Sequence, residues 1–264
     1  DRPTHPPAAV SLFKGLILKQ RFKDKAFSTL YRNRSIKNKL AASSLPLQEH
    51  TMHIALIGAT GFVGTALLNE LLQRGHRVTA LARDPAKLPL REGLTVVQAD
   101  ATDAAQVAQA VRGVDAVASA YNPGWTHPDL HDEFLRGSRA ITAGVKAAGV
   151  QRLLVVGGAG SLYVAPGVQL VDTPQFPAEW KNGALAAREA LNLLRQESTL
   201  QWTFLSPAIL LEPGERTGHY RLGTESPLMN GDQPGKISVA DLAVAIVDEL
   251  EAPRHLQQRF TVAY

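Results

Sequence analysis

One stretch, HIALIGATGFVG (53–64), constrains the possible fold of this chain more than any other. Five mostly apolar residues, 53–57, run into three glycines spaced three apart, Gly58, Gly61 and Gly64. A short apolar run that stops at a glycine turn reads as a strand buried on both faces. Val63, Leu67 and Leu71 then recur at spacing four with Ala66 beside them, and Gly75 follows, so a helix is predicted over 62–74. Gly58 permits the tight turn, Gly61 lets the backbone approach a ligand, and Gly64 lets helix and strand pack closely. The first N–H groups of such a helix have no acceptor within it and carry the positive end of its dipole, so they favour an anion. In this setting the turn Gly58-Ala59-Thr60-Gly61-Phe62-Val63-Gly64 points to the pyrophosphate of a dinucleotide, with the Thr60 hydroxyl as an added donor. The spacing is GxxGxxG rather than GxGxxG.

The same strand–helix alternation continues to the end of the chain. Strands are predicted at 77–82, 94–100, 114–120, 152–158, 200–207 and 258–263. Helices are predicted from Asp103 as cap to about Arg112, over 129–148, from about Pro177 to Glu197, and over 239–250 behind Ser238 as cap. The helix after Pro177 is expected to turn Leu185, Ala186, Ala190, Leu193 and Leu194 to the core. Residues 159–177 read as a loop, and 208–237 as irregular with short strands near 219–222 and 226–229. This pattern predicts an α/β fold, a doubly wound and mostly parallel Rossmann sheet with helices on both faces and a small C-terminal portion on the substrate side.

Charge divides the chain. Residues 1–51 carry ten Lys/Arg against three Asp/Glu, whereas 52–264 carry eighteen against twenty-one. The basic, proline-led segment 1–51 is read first as a disordered or non-native extension ahead of a start at Met52. An organellar transit peptide and a membrane-surface or nucleic-acid arm are the alternatives. The mildly acidic remainder gives no reason to expect a nucleic-acid partner. The chain has no cysteine, which excludes disulfides, a thiol nucleophile and thiolate-bound metal. His127, His131 and Asp132 have no evident third ligand, so no metal site is expected. With no apolar stretch long enough to span a bilayer, the expected setting is cytoplasmic and away from membranes.

Ligands of a parallel sheet bind at the carboxyl ends of its strands. Strand two ends in Ala80-Leu81-Ala82-Arg83-Asp84. An acid there would accept from a ribose 2′-hydroxyl, whereas Arg83 can clamp a 2′-phosphate, so NADP(H) is expected over NAD(H), with Asp84 keeping NAD(H) open. Asp100 and Ala101 are placed to border the adenine. Ser119 and Ala120 end strand four, Gly157 and Gly158 leave room for a flat ring, and Pro207 lies near the nicotinamide position.

These residues bring the chain close to a known family. Residues 52–264 resemble the atypical short-chain dehydrogenases described as NAD(P)H-flavin reductases, related to biliverdin reductase B and the NmrA-like proteins. The carrying segments are 54–64, GGAGSLYVAPGVQLVDTPQFP (157–177), TFLSPAILLEPGERTGHYRLG (203–223), ISVADLAVAIVDELE (237–251) and QRFTVAY (258–264). The resemblance implies a monomer or small homo-oligomer that passes a hydride from a reduced nicotinamide to a flavin or similar planar acceptor. The flavin is then a substrate rather than a tightly held group.

Ordinary short-chain dehydrogenases use Tyr-x-x-x-Lys for proton transfer to a carbonyl. None of Tyr31, Tyr121, Tyr163, Tyr220 and Tyr264 has a lysine four residues on, and the corresponding helix reads Trp180-Lys181-Asn182-Gly183-Ala184. Flavin reduction tolerates that absence, since the ring itself accepts the hydride. Ser161 and Lys181 are the candidate catalytic groups. Trp180 is a candidate for ring stacking, and Tyr121, Trp125 and Tyr163 for an aromatic lid. A non-catalytic NADP(H)-sensing regulator of the NmrA type and a sugar-nucleotide epimerase or dehydratase are the alternative readings.

Overall fold

The structure is a computed structural model that describes residues 51–264, so the reading of the basic N-terminal segment lies outside the described residues. Strand β1 (His53–Ile57) is flanked by β2 (Arg77–Ala82) and β4 (Ala116–Ser119), β3 (Leu94–Gln98) lies beyond β2, and on the other side the sheet continues through β5 (Arg152–Val156), β8 (Gln201–Ser206), β14 (Gln258–Ala263) and β10 (Arg221–Gly223). The order is β10-β14-β8-β5-β4-β1-β2-β3, parallel throughout except for β10 against β14. Chain direction across the sheet reverses between β1 and β4, which pair as Ile54 with Ala116 through Ile57 with Ser119. The loops leaving these two strands therefore diverge and open a crevice at the carboxyl edge.

The two faces follow from alternation along each strand. Ile54 and Leu56 pack with Leu67, Leu68 and Leu71 of α1 (Phe62–Gln73) and with Leu242, Ile246 and Leu250 of α5 (Val239–Glu251). Ala55 and Ile57 face the opposite layer. It holds Val107 of α2 (Ala104–Ala110), Ile141 and Val145 of α3 (Leu130–Ala147), and Leu191 and Leu194 of α4 (Ala178–Arg195). Each buried leucine, isoleucine and valine among these side chains contributes about 1.5–3 kcal/mol. The buried stripe of α4 runs Gly183, Ala186, Ala187, Ala190, Leu191, Leu194. Leu191 thus takes the core position, and Leu185 and Leu193, expected there, are half-buried. The reason is that the small residues Gly183, Ala184, Ala186 and Ala187 let neighbouring segments lie close against the first half of α4, as Trp125 does at Gly183.

The predicted caps are made. Asp103 accepts from the N–H groups of Ala105 (2.9 Å) and Gln106 (3.1 Å), and Ser238 Oγ accepts from Asp241 N (3.0 Å). The stretch 159–177 is more ordered than a plain loop. It holds short 3-10 turns at Ala159–Ser161 and Leu170–Asp172 and a small hairpin of β6 (Tyr163–Ala165) and β7 (Val168–Gln169). The C-terminal portion adds β9 (Leu210–Glu212), β11 (Met229–Asn230), β12 (Gln233–Pro234) and β13 (Lys236–Ser238) in two further two-stranded sheets.

Buried charges tie this portion to the sheet. Asp241 accepts from Thr217 N (2.8 Å), Thr217 Oγ1 (2.6 Å), Gly218 N (2.8 Å) and the Tyr264 hydroxyl (2.6 Å). Burial alone would raise its carboxyl, but these donors more than offset that and hold it below the usual carboxylate range. Arg152 donates to Thr203 Oγ1 (2.7 Å) and Glu249 Oε1 (3.3 Å) in the interior, and Glu249 also accepts from the N–H groups of Arg254 and His255. Among the described residues, no helix is long and apolar enough to cross a membrane, and no three His, Cys, Asp or Glu side chains cluster as metal ligands.

Candidate functional site

The glycine turn sits at the β1 side of the crevice. Gly58 has φ +84°, and a Cβ on it would lie 2.5 Å from the Ala120 carbonyl oxygen, so this position needs glycine for both conformation and space. A Cβ on Gly64 would run into the Gly58 carbonyl group and come within 2.9 Å of Ala59 Cα. Gly61 is different. Its N–H donates to Gly58 O (3.0 Å), and an added Cβ would meet only that oxygen, at 3.3 Å, with open space beyond. Helix α1 starts there with no side-chain cap and no acid in its first turn. Uncapped N–H groups, the dipole and an unobstructed approach at Gly61 together fit the pyrophosphate of a dinucleotide. Thr60 is exposed beside them, Ala59 is buried, and Val63 is half-buried. Phe62 is 46% exposed at the helix start.

Arg83 follows β2 with an exposed side chain whose guanidinium makes no hydrogen bond or ion pair among the described residues, and its carbonyl accepts from Gln98 Nε2 (3.3 Å). Asp84 is occupied locally, since its carboxylate accepts from Ala86 N (3.1 Å). Asp100 accepts from Thr102 N (2.9 Å) and Thr102 Oγ1 (2.8 Å), with Ala101 half-buried inside the turn. The Thr102 N–H is the main reason its carboxyl lies below the usual range, and Arg83 and Arg136 add to it. Arg136, on α3 and paired with Glu133, was not singled out in the sequence, because nothing local marks a helix arginine as facing a strand end on another segment.

Ser119 and Ala120 divide their roles. The Ala120 carbonyl abuts Gly58, whereas the Ser119 side chain is buried and lines a cleft of about 290 Å³ between α3 and α4. Strand alternation turns that side chain to the α3–α4 layer, where its hydroxyl accepts from Tyr121 N (3.4 Å). Gly157 also differs from expectation. A Cβ there would lie 2.8 Å from Phe204 Cε2, so its missing side chain accommodates a core ring rather than a ligand. Gly158 is open, with only Ala187 Cβ at 3.8 Å, and Pro207 is buried at the end of β8.

The two candidate catalytic groups sit in different settings. Ser161 is 2% exposed, and both its hydroxyl and its carbonyl accept from Arg259 Nη1 at 2.9 Å. Arg259, on β14, is itself buried and also pairs with Glu225. Ser161 is thus an internal partner of a buried cation. Lys181 is exposed in the first turns of α4, with no partner among the described residues.

The expected lid is rearranged too. The Tyr121 ring packs onto Gly137, where a Cβ would lie 2.8 Å from its hydroxyl oxygen. That hydroxyl donates to Glu133 O (3.1 Å), and burial, with Glu133 and Asp100 adding, pushes the phenol up to about 12. Tyr163 lies near Arg259, with the guanidinium carbon 6.0 Å from the ring centroid. Trp125 pairs instead with Trp180, centroids 4.9 Å apart and planes inclined by 57°.

Residues 58–253 match the family described as NAD(P)H-binding. The uncharacterized protein YwnB of Bacillus subtilis (strain 168) is 41% identical over 216 residues, 80% of this chain and 98% of its own. The solved structure of a candidate epimerase from Bacteroides thetaiotaomicron is 46% identical with a TM-score of 0.76, covering 81% of this chain and 97% of that one. A candidate NADH-flavin reductase from Streptococcus pneumoniae TIGR4 is 37% identical with a TM-score of 0.70, covering 80% and 99%. With the glycine turn, the switch point between β1 and β4 and these matches together, the chain belongs to the NAD(P)H-binding family of Rossmann-fold proteins, related to short-chain dehydrogenases, epimerases and flavin reductases.

Proposed function

We propose that this chain is an NADPH-dependent oxidoreductase whose acceptor is a flavin or a similar planar conjugated ring. The N–H groups at the start of α1, with Thr60 beside them, hold the pyrophosphate. Arg83 meets the 2′-phosphate, a role that its guanidinium, which makes no hydrogen bond or ion pair among the described residues, and the local engagement of Asp84 support. Asp100 and Ala101 border the adenine, and the Ala120 backbone, Gly158 and Pro207 border the nicotinamide end. Bound there, the reduced cofactor supplies a hydride.

One observation carries the choice of acceptor. The Ser161 and Tyr121 hydroxyls, which follow β5 and β4 in the chain, are otherwise engaged, and the tyrosine–lysine pair is missing. Ser161 is taken by Arg259, the Tyr121 hydroxyl donates to the Glu133 carbonyl, and α4 has Trp180 and Ala184 in place of a Tyr-x-x-x-Lys pair. An acceptor that takes the hydride into its own ring and its proton from water needs none of these groups. The protein then has only to bring two flat rings together and keep them there. The likeness to a candidate flavin reductase agrees with this reading. The likeness to a candidate epimerase favours a second one, against which the same missing tyrosine–lysine pair argues. The test is anaerobic oxidation of NADPH with riboflavin, FMN and menadione in turn. Turnover is expected with at least one. NADPH binding with no turnover on any of them would overturn the proposal and leave a cofactor-binding regulator.

A further inference from the structure

Trp125 lies in the loop that leaves β4, and Trp180 lies in the first turn of α4, behind the loop that leaves β5. Both therefore stand at the carboxyl edge of the sheet, on the β4 side of the crevice and opposite the glycine turn. Trp125 is 55% exposed. A tryptophan carries more apolar surface than any other side chain, and a loop could bury or omit it at little cost, so such exposure marks a contact surface. Phe62, also exposed, flanks the crevice from the β1 side. Trp125 is not a loose loop residue. It is seated over Gly183, where a Cβ would come within 2.6 Å of Trp125 Cζ3 and 3.4 Å of Leu130 Cδ2. A glycine inside an eighteen-residue helix sacrifices helix propensity, and here its effect is to let an indole lie against α4. Trp180 is held as well, its Nε1 donating to Glu179 Oε1 (3.0 Å).

At a 57° inclination the two rings do not stack on each other, and Trp125, 55% exposed, keeps surface open to a third ring. Resting on the flavin-reductase reading, we infer that Trp125 and Trp180 form the platform on which the planar acceptor stacks, and that they determine acceptor specificity. The chemistry around them selects among acceptors. Glu179 bonds the Trp180 indole, and Asp129 and Asp132 follow Trp125 within seven residues of chain, against the single lysine Lys181 next to Trp180, so the platform suits an uncharged conjugated ring over one carrying a phosphate.

The test is riboflavin and menadione binding to the cofactor-free protein, followed by tryptophan fluorescence, with NADPH affinity measured separately by calorimetry. Buried Trp202 remains as a reporter in every variant. In the double variant Trp125→Leu/Trp180→Leu, riboflavin affinity is expected to fall at least tenfold with NADPH affinity within twofold of wild type. Trp125→Phe is expected to retain most of the binding. Gly183→Ala, which displaces the Trp125 ring while favouring the helix, is expected to weaken riboflavin selectively. FMN is expected to bind less tightly than riboflavin. Unchanged riboflavin and menadione affinity in the double variant overturns the platform, as does equal loss of riboflavin and NADPH, or no binding of either ring by the wild type. Turnover with unchanged ring affinity in the variants would remove the platform and leave the hydride-transfer reading intact. Ring binding that depends on the pair, without turnover, would do the reverse.

Discussion

Replacing the three glycines of the turn by alanine, one at a time, separates folding from binding. At Gly64 the new methyl meets only backbone, with Gly58 C at 2.6 Å and Ala59 Cα at 2.9 Å, so no side-chain rotation relieves it. Helix α1 has to move off the strand, loosening Leu67, Leu68 and Leu71, all of them core residues. Overpacking of this kind costs about 1–3 kcal/mol. Partial loss of three leucine contacts adds about 1–2 kcal/mol, taken as a fraction of their full burial. The gain in helix propensity returns about 1 kcal/mol. A net loss of about 3 kcal/mol lowers Tm by about 6–12 °C in a domain of this size. At Gly58 the left-handed backbone costs alanine about 1–2 kcal/mol, and the approach to the Ala120 oxygen adds to it. At Gly61 the fold loses only about 0.5 kcal/mol, the difference between glycine and alanine as a cap, or about 1–2 °C. The methyl there projects into the open approach to the α1 N–H groups. Losing even one charge-assisted hydrogen bond, worth about 1.5–3 kcal/mol, weakens NADPH at least about tenfold. Differential scanning calorimetry and isothermal titration calorimetry on the three variants check both halves. A Gly61→Ala protein that melts as early as Gly64→Ala, or that binds NADPH like the wild type, would refute the reasoning.

Three further outcomes follow from the same contacts. Arg83→Ala should weaken NADPH at least about tenfold and NADH little, because only the 2′-phosphate needs the guanidinium; equal losses in a binding titration would count against the assignment. Asp241 is held below its ordinary carboxylate range in the folded state, so its stabilisation is present above an unfolded value near 3.8 and is lost as the pH falls through its lower native value. The wild-type Tm should accordingly drop more steeply below about pH 4 than that of Asp241→Asn. Glu249→Ala leaves Arg152 buried beside Thr203 without its counter-charge, which should cost about 3–5 kcal/mol in urea unfolding. A loss below about 1 kcal/mol would mean that water reaches the guanidinium.

Helices buried along one stripe and strands buried on both faces leave a periodic trace in the residues themselves. That is why β1, α1, the Asp103 and Ser238 caps and the strand–helix alternation were legible without coordinates. The turn was legible for the same reason, since its function rests on backbone conformation over seven consecutive residues. Side-chain assignments at the strand ends fared less well. Ser161 follows the end of β5 by five residues, yet its partner Arg259 lies 98 residues away. Gly157 read as space for a ligand until Phe204, from the neighbouring strand, filled it. Interior glycines were the signal that went unused: Gly137 seats Tyr121 and Gly183 seats Trp125, each removing helix propensity for a ring from another segment.

The sequence by itself determined the doubly wound α/β class, the position of the glycine turn between β1 and α1, and the absence of a tyrosine–lysine pair. These are properties of neighbours along the chain or of residue types alone. Only the tertiary structure decided that Ser161 serves a buried arginine, that the Ser119 side chain faces the α3–α4 cleft, and that Trp125 meets Trp180. Each of those depends on which distant segment packs alongside, and packing between segments is set by the shape and rotation of whole elements, which no local pattern records.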